Sequence, residues 1–273
     1  MTAARVELGS RRTGARSVVS QLVVRNLRGI VRMPSAFIPT LVMPIFFVIT
    51  FAGAFGFAGR AFGGGNALSW YAPMAIIQGA SFSGMTIGLG TARDFETGFF
   101  DRFLLAPVSR LTLLGGALGA AVVRTLVTTT VVLIAAAIGG VAVPGGVLGI
   151  GALYLASIGI GVVGALWGLG LVYRAQSTRV GPLIQVGIFL AIFLSTAQVP
   201  ISAMSGWLPD VARINPMTNV LRMSRAGFVP DQLQPPAGFG VGWSEMWPGL
   251  LALAGAVVVL GAFALRGMRR LSP

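Results

Sequence analysis

The sequence predicts an all-α integral membrane protein with six transmembrane helices. Its 273 residues are 55% hydrophobic, and the mean hydropathy is +0.85. Long runs carry almost no charge. At roughly 20 apolar residues per span, the predicted spans lie near residues 36–59, 70–92, 113–139, 147–173, 181–199 and 247–265. The whole chain, 1–273, is therefore predicted to form a single transmembrane domain.

The distribution of arginine predicts the orientation of these spans. All 20 basic residues are arginine, and 15 of them lie before span one, after spans two and four, or after span six. Arginine concentrates on the cytoplasmic side of membrane proteins, so both termini are expected to be cytoplasmic. Exclusive use of arginine with abundant alanine and glycine is typical of a GC-rich bacterial genome. We expect the chain in the bacterial cytoplasmic (inner) membrane.

Composition excludes several kinds of chemistry from this polypeptide. It has no cysteine, histidine or lysine, so it offers no thiolate or imidazole metal site and no imidazole acid-base relay. A nucleotide-binding P-loop also requires a lysine. We expect no catalytic residue, metal or cofactor in the chain. The net charge of +13 is interpreted as a topology signal, not as a sign of nucleic-acid binding.

Residues 17–33 are predicted to form an amphipathic helix in the membrane interface. Arg25, Arg28 and Arg32 share one face, and apolar residues share the other. Pro34 ends this helix and turns the chain into span one. A positively charged leader that only orients span one is the alternative.

Two features inside the spans are interpreted structurally. Gly159, Gly161 and Gly164 match a dinucleotide-binding fingerprint, but no strand-turn-helix setting surrounds them. With Gly168 they form a series of small residues that favours close helix packing. Arg124 is either a functional charge within span three or an interfacial residue ahead of a span that starts later.

Charge concentrates in one segment between spans, residues 94–110, which holds three of the seven acidic residues. A helix over 94–107 would group three phenylalanines at four-residue spacing: Phe95, Phe99 and Phe103. Arg102 would lie beside them, Glu96 and Asp101 would offer acceptors to a partner, and Pro107 would end the helix. Aromatic residues with an arginine dominate the energetics of protein interfaces. The segment is therefore predicted to dock another protein; a solvated loop lying on the membrane is the alternative.

Residues 200–246, between spans five and six, are too long for a simple turn. Asn215 and Pro216 separate two short amphipathic stretches that also contain Asp210. These are predicted to be short re-entrant helices that dip toward the outer leaflet, the second capped by Thr218. A surface lid that only stabilises the fold is equally consistent with the pattern.

These features together resemble a known family. The amphipathic leader and six spans are accompanied by Glu96-Thr97-Gly98, Asp101-Arg102-Phe103, Pro107-Val108-Ser109-Arg110 and Asn215-Pro216. The pattern is similar to that of permease subunits of type-two ABC exporters, including bacterial daunorubicin-resistance and lipid exporters.

The resemblance implies roles for several segments. Residues 17–33 would be a connecting helix, and residues 94–107 a coupling helix that grips a separate ATP-binding subunit. The residues assigned to that contact are Phe95, Glu96, Gly98, Phe99, Asp101, Arg102, Phe103, Pro107 and Arg110. Two ATP-binding subunits would hold ATP and Mg²⁺, and a second permease, identical or different, would complete the assembly within membrane lipid.

The resemblance also implies that spans two and five line the path between two permeases. Candidate lining residues share one face of each span: Gln78, Phe82 and Met85 on span two, and Gln185, Phe189, Ile192 and Thr196 on span five. An apolar path with a few hydrogen-bonding groups suits an amphipathic drug-like or lipidic substrate. Ordinary helix packing at these positions is the alternative.

Three alternative functions would each require features that can be looked for in the sequence or in a partner. A polysaccharide or glycolipid exporter calls for more tyrosine and tryptophan platforms than three Tyr and five Trp. An ion-coupled carrier requires an ionisable relay in the membrane, and no Asp, Glu or His falls within the predicted spans. A membrane scaffold without transport would have no ATPase partner.

Overall fold

The computed structural model describes residues 20–21, 23–25, 28–29, 34–54, 67–105, 109–229 and 241–271. Within these ranges the chain is helical and contains no strand, as predicted. The described positions between 20 and 29 are helical, which agrees with part of the predicted connecting helix. The α-helices that follow are α1 (Pro34–Ala54), α2 (Ala67–Glu96), α3 (Phe99–Leu105), α4 (Arg110–Ile138), α5 (Gly146–Ala175), α6 (Gly181–Phe193), α7 (Leu208–Ile214), α8 (Pro216–Arg225) and α9 (Trp243–Arg269).

Three of the described helices, α4, α5 and α9, are both long and apolar enough to cross a membrane. Shorter apolar helical stretches run over Thr40–Phe51 and Thr178–Phe193. The predicted fifth span, 181–199, is α-helical only as far as Phe193, because the chain turns there toward α7 and α8.

Helix α2 lies at the centre of the bundle. Residues 69–84 are buried without interruption, and α2 packs against α1, α4, α5 and α6. A helix surrounded by protein on all sides does not need an apolar surface against lipid. Helix α2 has 30 residues and is long enough to cross a membrane. Its buried position explains why it nevertheless carries serine, glutamine and glycine.

The small residues of α5 allow the closest helix contact in the bundle. A Cβ placed on Gly88 of α2 would lie 2.6 Å from the carbonyl carbon of Gly168, and one placed on Gly84 would overlap the carbonyl of Gly161. A Cβ on Gly164 would lie 2.6 Å from the carbonyl oxygen of Ser81. The predicted close packing is confirmed, because the α2 and α5 backbones touch where side chains are absent.

Helix α4 is continuous through Arg124, whose carbonyl accepts a hydrogen bond from Thr128 Oγ1 at 3.0 Å. By helix geometry the residue lies about 21 Å from the first residue of α4. The residues before Arg124 and the apolar stretch after it therefore belong to one helix.

Candidate functional site

The segment 94–110 is broken by a turn. Helix α2 ends at Glu96, Gly98 adopts a φ of +67°, and α3 begins at Phe99. Glycine tolerates this left-handed conformation, which ends many helices. The prediction of one continuous helix over residues 94–107 is therefore wrong: two helices meet at the turn.

The turn changes which phenylalanines pack together. Phe95 of α2 pairs with Phe100 of α3, with 4.1 Å between ring centroids, and both rings lie within 6.4 Å of the ring of Tyr173 in α5. Phe100 is buried, whereas Phe99 is half-buried. The predicted four-residue spacing fails because residues 97 and 98 leave the helix. The described aromatic pair anchors α3 on α5.

Arg25 of the amino-terminal helix contacts both sides of this turn. Its Nη2 lies 2.6 Å from Asp94 Oδ1, and its guanidinium lies 4.4 Å from the ring centroid of Phe99. Exposed ion pairs of this kind contribute little stability, but the two contacts fix where the helix lies. Arg28 is exposed, and Arg32 falls outside the described residues.

Glu96 is engaged within the chain. Its Oε1 accepts hydrogen bonds from Thr178 N at 2.7 Å, Thr178 Oγ1 at 2.9 Å and Ser177 Oγ at 3.0 Å. The Thr178 backbone N–H, followed by the threonine hydroxyl, stabilises the carboxylate and holds the pKa of Glu96 below its ordinary value. Glu96 therefore ties the end of α2 to the 3₁₀ turn Thr178–Val180 that precedes α6.

Arg110 has a comparable role. Its Nη1 and Nη2 donate to the carbonyls of Met268 and Leu271, each at 2.9 Å. A cation at the carboxyl end of a helix satisfies free carbonyls and complements the helix dipole. Ser109 caps the start of α4 by accepting from Thr112 N at 3.1 Å. Segments predicted to be cytoplasmic thus meet at one end of the bundle.

A smaller surface is left for a partner at this end. Arg102 of α3 is exposed, with its guanidinium 5.9 Å from the ring of Phe99, and Leu105 is 75% exposed. The side chains of Asp101 and Phe103, and all of Pro107, fall outside the described residues. Of these two exposed side chains, the arginine is of a type enriched at the energetic centres of protein interfaces.

Asn215 organises the opposite end of the bundle. Its Oδ1 accepts from Met217 N at 2.9 Å, and its Nδ2 donates to the carbonyls of Ala191 at 2.7 Å and Leu194 at 3.0 Å. Pro216 is the first residue of α8, where its missing N–H costs nothing. The predicted cap, Thr218, is wrong: its hydroxyl donates to the carbonyl of Ala212 at 2.6 Å.

The two predicted short helices exist as α7 and α8, and α8 is not a surface lid. Its apolar side chains are buried against α2, α5 and α9. A Cβ placed on Gly227, just after α8, would clash with the backbone of Gly149 in α5. Asp210 of α7 is exposed and pairs with Arg213 at 3.0 Å.

Arg225, at the end of α8, is the residue that the sequence analysis missed. It is 4% exposed, and it donates to the carbonyls of Thr196 at 2.7 Å, Ala197 at 2.8 Å and Trp70 at 3.2 Å. Its guanidinium also lies 3.8 Å from the Trp70 ring. The sequence did offer one signal. Arg225 lies on the predicted outer side, where arginine is uncommon, and ends an amphipathic stretch.

Comparison with known proteins decides the family. The model of the "ABC-2 family transporter protein" family matches residues 63–266, which include both ends of the bundle described above. The chain belongs to this family. It is a type-two ABC permease.

The chain resembles the probable multidrug ABC transporter permease YbhR of Escherichia coli strain K12 and of Escherichia coli O157:H7. Each is 28% identical over 191 residues, which cover 68% of this chain and 49% of the relative. The chain thus spans about half the length of the curated relatives it matches.

The candidate path residues of this permease differ in their burial and contacts. Phe82 of α2 meets Phe189 of α6 edge to face, with ring centroids 5.2 Å apart. Ile192 is buried and Met85 is half-buried, but Gln185 is exposed. Thr196 lies beyond the end of α6, where its carbonyl binds Arg225. The prediction that placed it on a helical face is wrong because α6 ends three residues earlier.

Gln78 of α2 differs from the other path residues. It is 1% exposed, and its Oε1 has no hydrogen-bond partner among the described residues. Buried side-chain oxygens usually have a partner. Gln78 Oε1 is therefore a buried acceptor in the centre of the bundle, as are the hydroxyls of Ser83, Thr125, Thr129 and Ser157, which also have no partner among the described residues.

Proposed function

We propose that this ABC-2 permease is the transmembrane subunit of an ATP-driven exporter that moves an amphipathic drug-like or lipidic molecule out across the bacterial cytoplasmic membrane. Two copies of a separate ABC ATP-binding subunit supply ATP and Mg²⁺. A second permease, identical or different, completes the path. The observation that carries the proposal is the turn between α2 and α3, which contacts three other segments of the chain.

Those three contacts give a route for force. Arg25 contacts Asp94, Glu96 binds the turn before α6, and the pair of Phe95 and Phe100 packs on α5. A displacement of α3 by an ATP-binding subunit is thus passed to α2, α5 and α6 together. Helices α2 and α6 also carry Phe82 and Phe189, which meet within the bundle. Alternating access follows if their separation changes with the state of the ATP-binding subunits.

The proposal includes a topology of six spans with both termini in the cytoplasm. Five are formed by α1, α2, α4, α5 and α9, and the sixth by α6 together with the residues that follow it to position 199. This topology is supported by the meeting of Arg25, residues 94–110 and the end of α9 at one end of the bundle. The re-entrant α8 and Asn215 lie at the other end. Bond making and breaking are assigned to the ATP-binding subunit, since this chain has no lysine for a P-loop.

The test is copurification of a co-expressed ABC ATP-binding subunit with variants of α3. Arg102→Ala and Leu105→Ala should leave membrane abundance near normal, because both side chains are exposed. Loss of an interface anchor costs on the order of 2 kcal/mol or more, roughly a thirtyfold loss of affinity. Transport of an amphipathic dye by the reconstituted complex should fall in parallel.

Arg213→Ala is the matched control, since it removes an exposed arginine at the opposite end of the bundle. It should leave copurification unchanged. Full copurification and transport by both α3 variants would show that α3 is not the coupling element. Nucleotide hydrolysis by the purified permease alone would contradict the division of labour.

A further inference from the structure

Three arginines cluster where α5 and α9 end, at the same end of the bundle as α3. The guanidinium of Arg174 lies on α9: its Nη2 donates to the carbonyl of Phe263 at 2.9 Å, and it stands 3.7 Å from the Phe263 ring. A Cβ on Gly267 would lie 2.8 Å from Arg174 Nη1. Arg266 and Arg270 are exposed, and they lie one residue before and three residues after Gly267, the position that Arg174 Nη1 adjoins. These three residues form the basal arginine cluster.

No described carboxylate neutralises the basal arginine cluster. The four carboxylates whose side chains are described have partners elsewhere: Asp94 with Arg25, Glu96 with Ser177 and Thr178, Asp210 with Arg213, and Glu245 with Ser244. Two carbonyls at this end, those of Met268 and Leu271, already accept hydrogen bonds from Arg110. Like charges held together without a counter-ion favour an anion from outside the chain.

The position of the cluster indicates which anion. Leu251, Val258 and Val259 of α9 are 60%, 70% and 66% exposed, and they form an apolar stripe on the surface of the bundle. Arg266 follows Val259 on the same face, about 11 Å further along the helix. The guanidinium groups therefore lie just beyond the end of a surface suited to acyl chains, where an anionic headgroup would be within their reach.

We propose that the basal arginine cluster binds the phosphodiester headgroup of an anionic phospholipid, whose acyl chains lie along the exposed stripe of α9. Guanidinium groups match phosphate oxygens in charge and geometry. Arg174 is held in place by α9, and Arg266 and Arg270 close on the headgroup from the aqueous side. The lipid is a bound component of the bilayer, so this site is independent of what the permease transports.

The test is native mass spectrometry of the purified full chain with phosphatidylglycerol or phosphatidylcholine of identical acyl chains. The unmodified permease should bind phosphatidylglycerol more tightly. Arg266→Gln/Arg270→Gln should weaken binding of phosphatidylglycerol about thirtyfold, at about 1 kcal/mol for each cation near a membrane surface. Its binding of phosphatidylcholine should not change. Arg270→Gln alone changes the residue that follows α9 and should weaken binding of phosphatidylglycerol about fivefold. This single variant replaces the double variant in the test if the double variant does not fold.

The matched control is Arg93→Gln/Arg213→Gln, which removes two exposed arginines and keeps the cluster. It should retain the preference for phosphatidylglycerol. Equal binding of the two lipids by the unmodified permease would overturn the proposal, as would an equal loss in the control. Glycerophosphoglycerol and inorganic phosphate should not displace the lipid at matched concentration; displacement by either would assign the site to a free phosphate group.

Discussion

Replacing Arg225 by methionine removes the guanidinium that joins α8 to two other parts of the chain. Methionine is apolar and flexible enough to occupy much of the vacated space, so the main effect is the loss of donors. The three hydrogen bonds that Arg225 donates to the carbonyls of Trp70, Thr196 and Ala197 are lost. These groups lie where α2 begins and where the chain leaves α6.

The size of the effect follows from these three acceptors. Each lost hydrogen bond costs about 1 kcal/mol, which gives a loss of about 3 kcal/mol for Arg225→Met. In a chain of this size, 1 kcal/mol shifts the unfolding temperature by about 2–4 °C. We therefore expect the unfolding temperature to fall by about 6–12 °C. The unfolding temperature of Arg225→Lys should lie between those of the unmodified chain and Arg225→Met, because an ammonium restores the charge but not the fork of donors.

The assay is thermal unfolding of the purified chain in detergent, followed by intrinsic tryptophan fluorescence. Arg213→Met is the control: Arg213 is exposed and pairs only with Asp210 in the described structure, and surface ion pairs contribute about 0–1 kcal/mol. If Arg225→Met unfolds at the same temperature as Arg213→Met, the three carbonyls do not depend on the guanidinium and the reasoning fails.

Three further predictions use other parts of the bundle. Gly88→Leu should lower the unfolding temperature by separating α2 from α5, whereas Gly255→Leu on the open side of α9 should not; equal effects would contradict the close contact. The lowered pKa of Glu96 means that its tie stabilises the fold at neutral pH and is lost as pH falls below about 4.5. The difference in unfolding temperature between Glu96→Gln and the unmodified chain should therefore shrink on acidification, and a constant difference would argue against the charged tie. In intact cells an impermeant thiol reagent should label Ser205→Cys but not Ser109→Cys; the reverse pattern would invert the topology.

The connections of the coupling region show how far sequence reasoning reached. Residues 94–110 stood out because charge and phenylalanine are concentrated there between apolar runs. The family resemblance placed the coupling role on this segment, and that role stays a prediction. Glycine at position 98 was visible in the sequence, but its left-handed turn was not predicted. As a result the paired phenylalanines were assigned the wrong spacing. The contacts of Glu96 with the turn before α6 and of Arg110 with the end of α9 were not predicted either.

Sequence by itself determined the helical class, the membrane setting and the close approach of glycine-rich faces, since each depends on composition or on spacing along one helix. The side chains that bind distant backbone were decided only by tertiary structure. Arg225 and Asn215 both satisfy carbonyls at the end of α6, and no local pattern specifies which polar residue reaches a carbonyl some 20 or 30 residues away. The physical reason is that buried carbonyls at helix ends must find donors, and only the folded arrangement of the helices determines which donors are within reach.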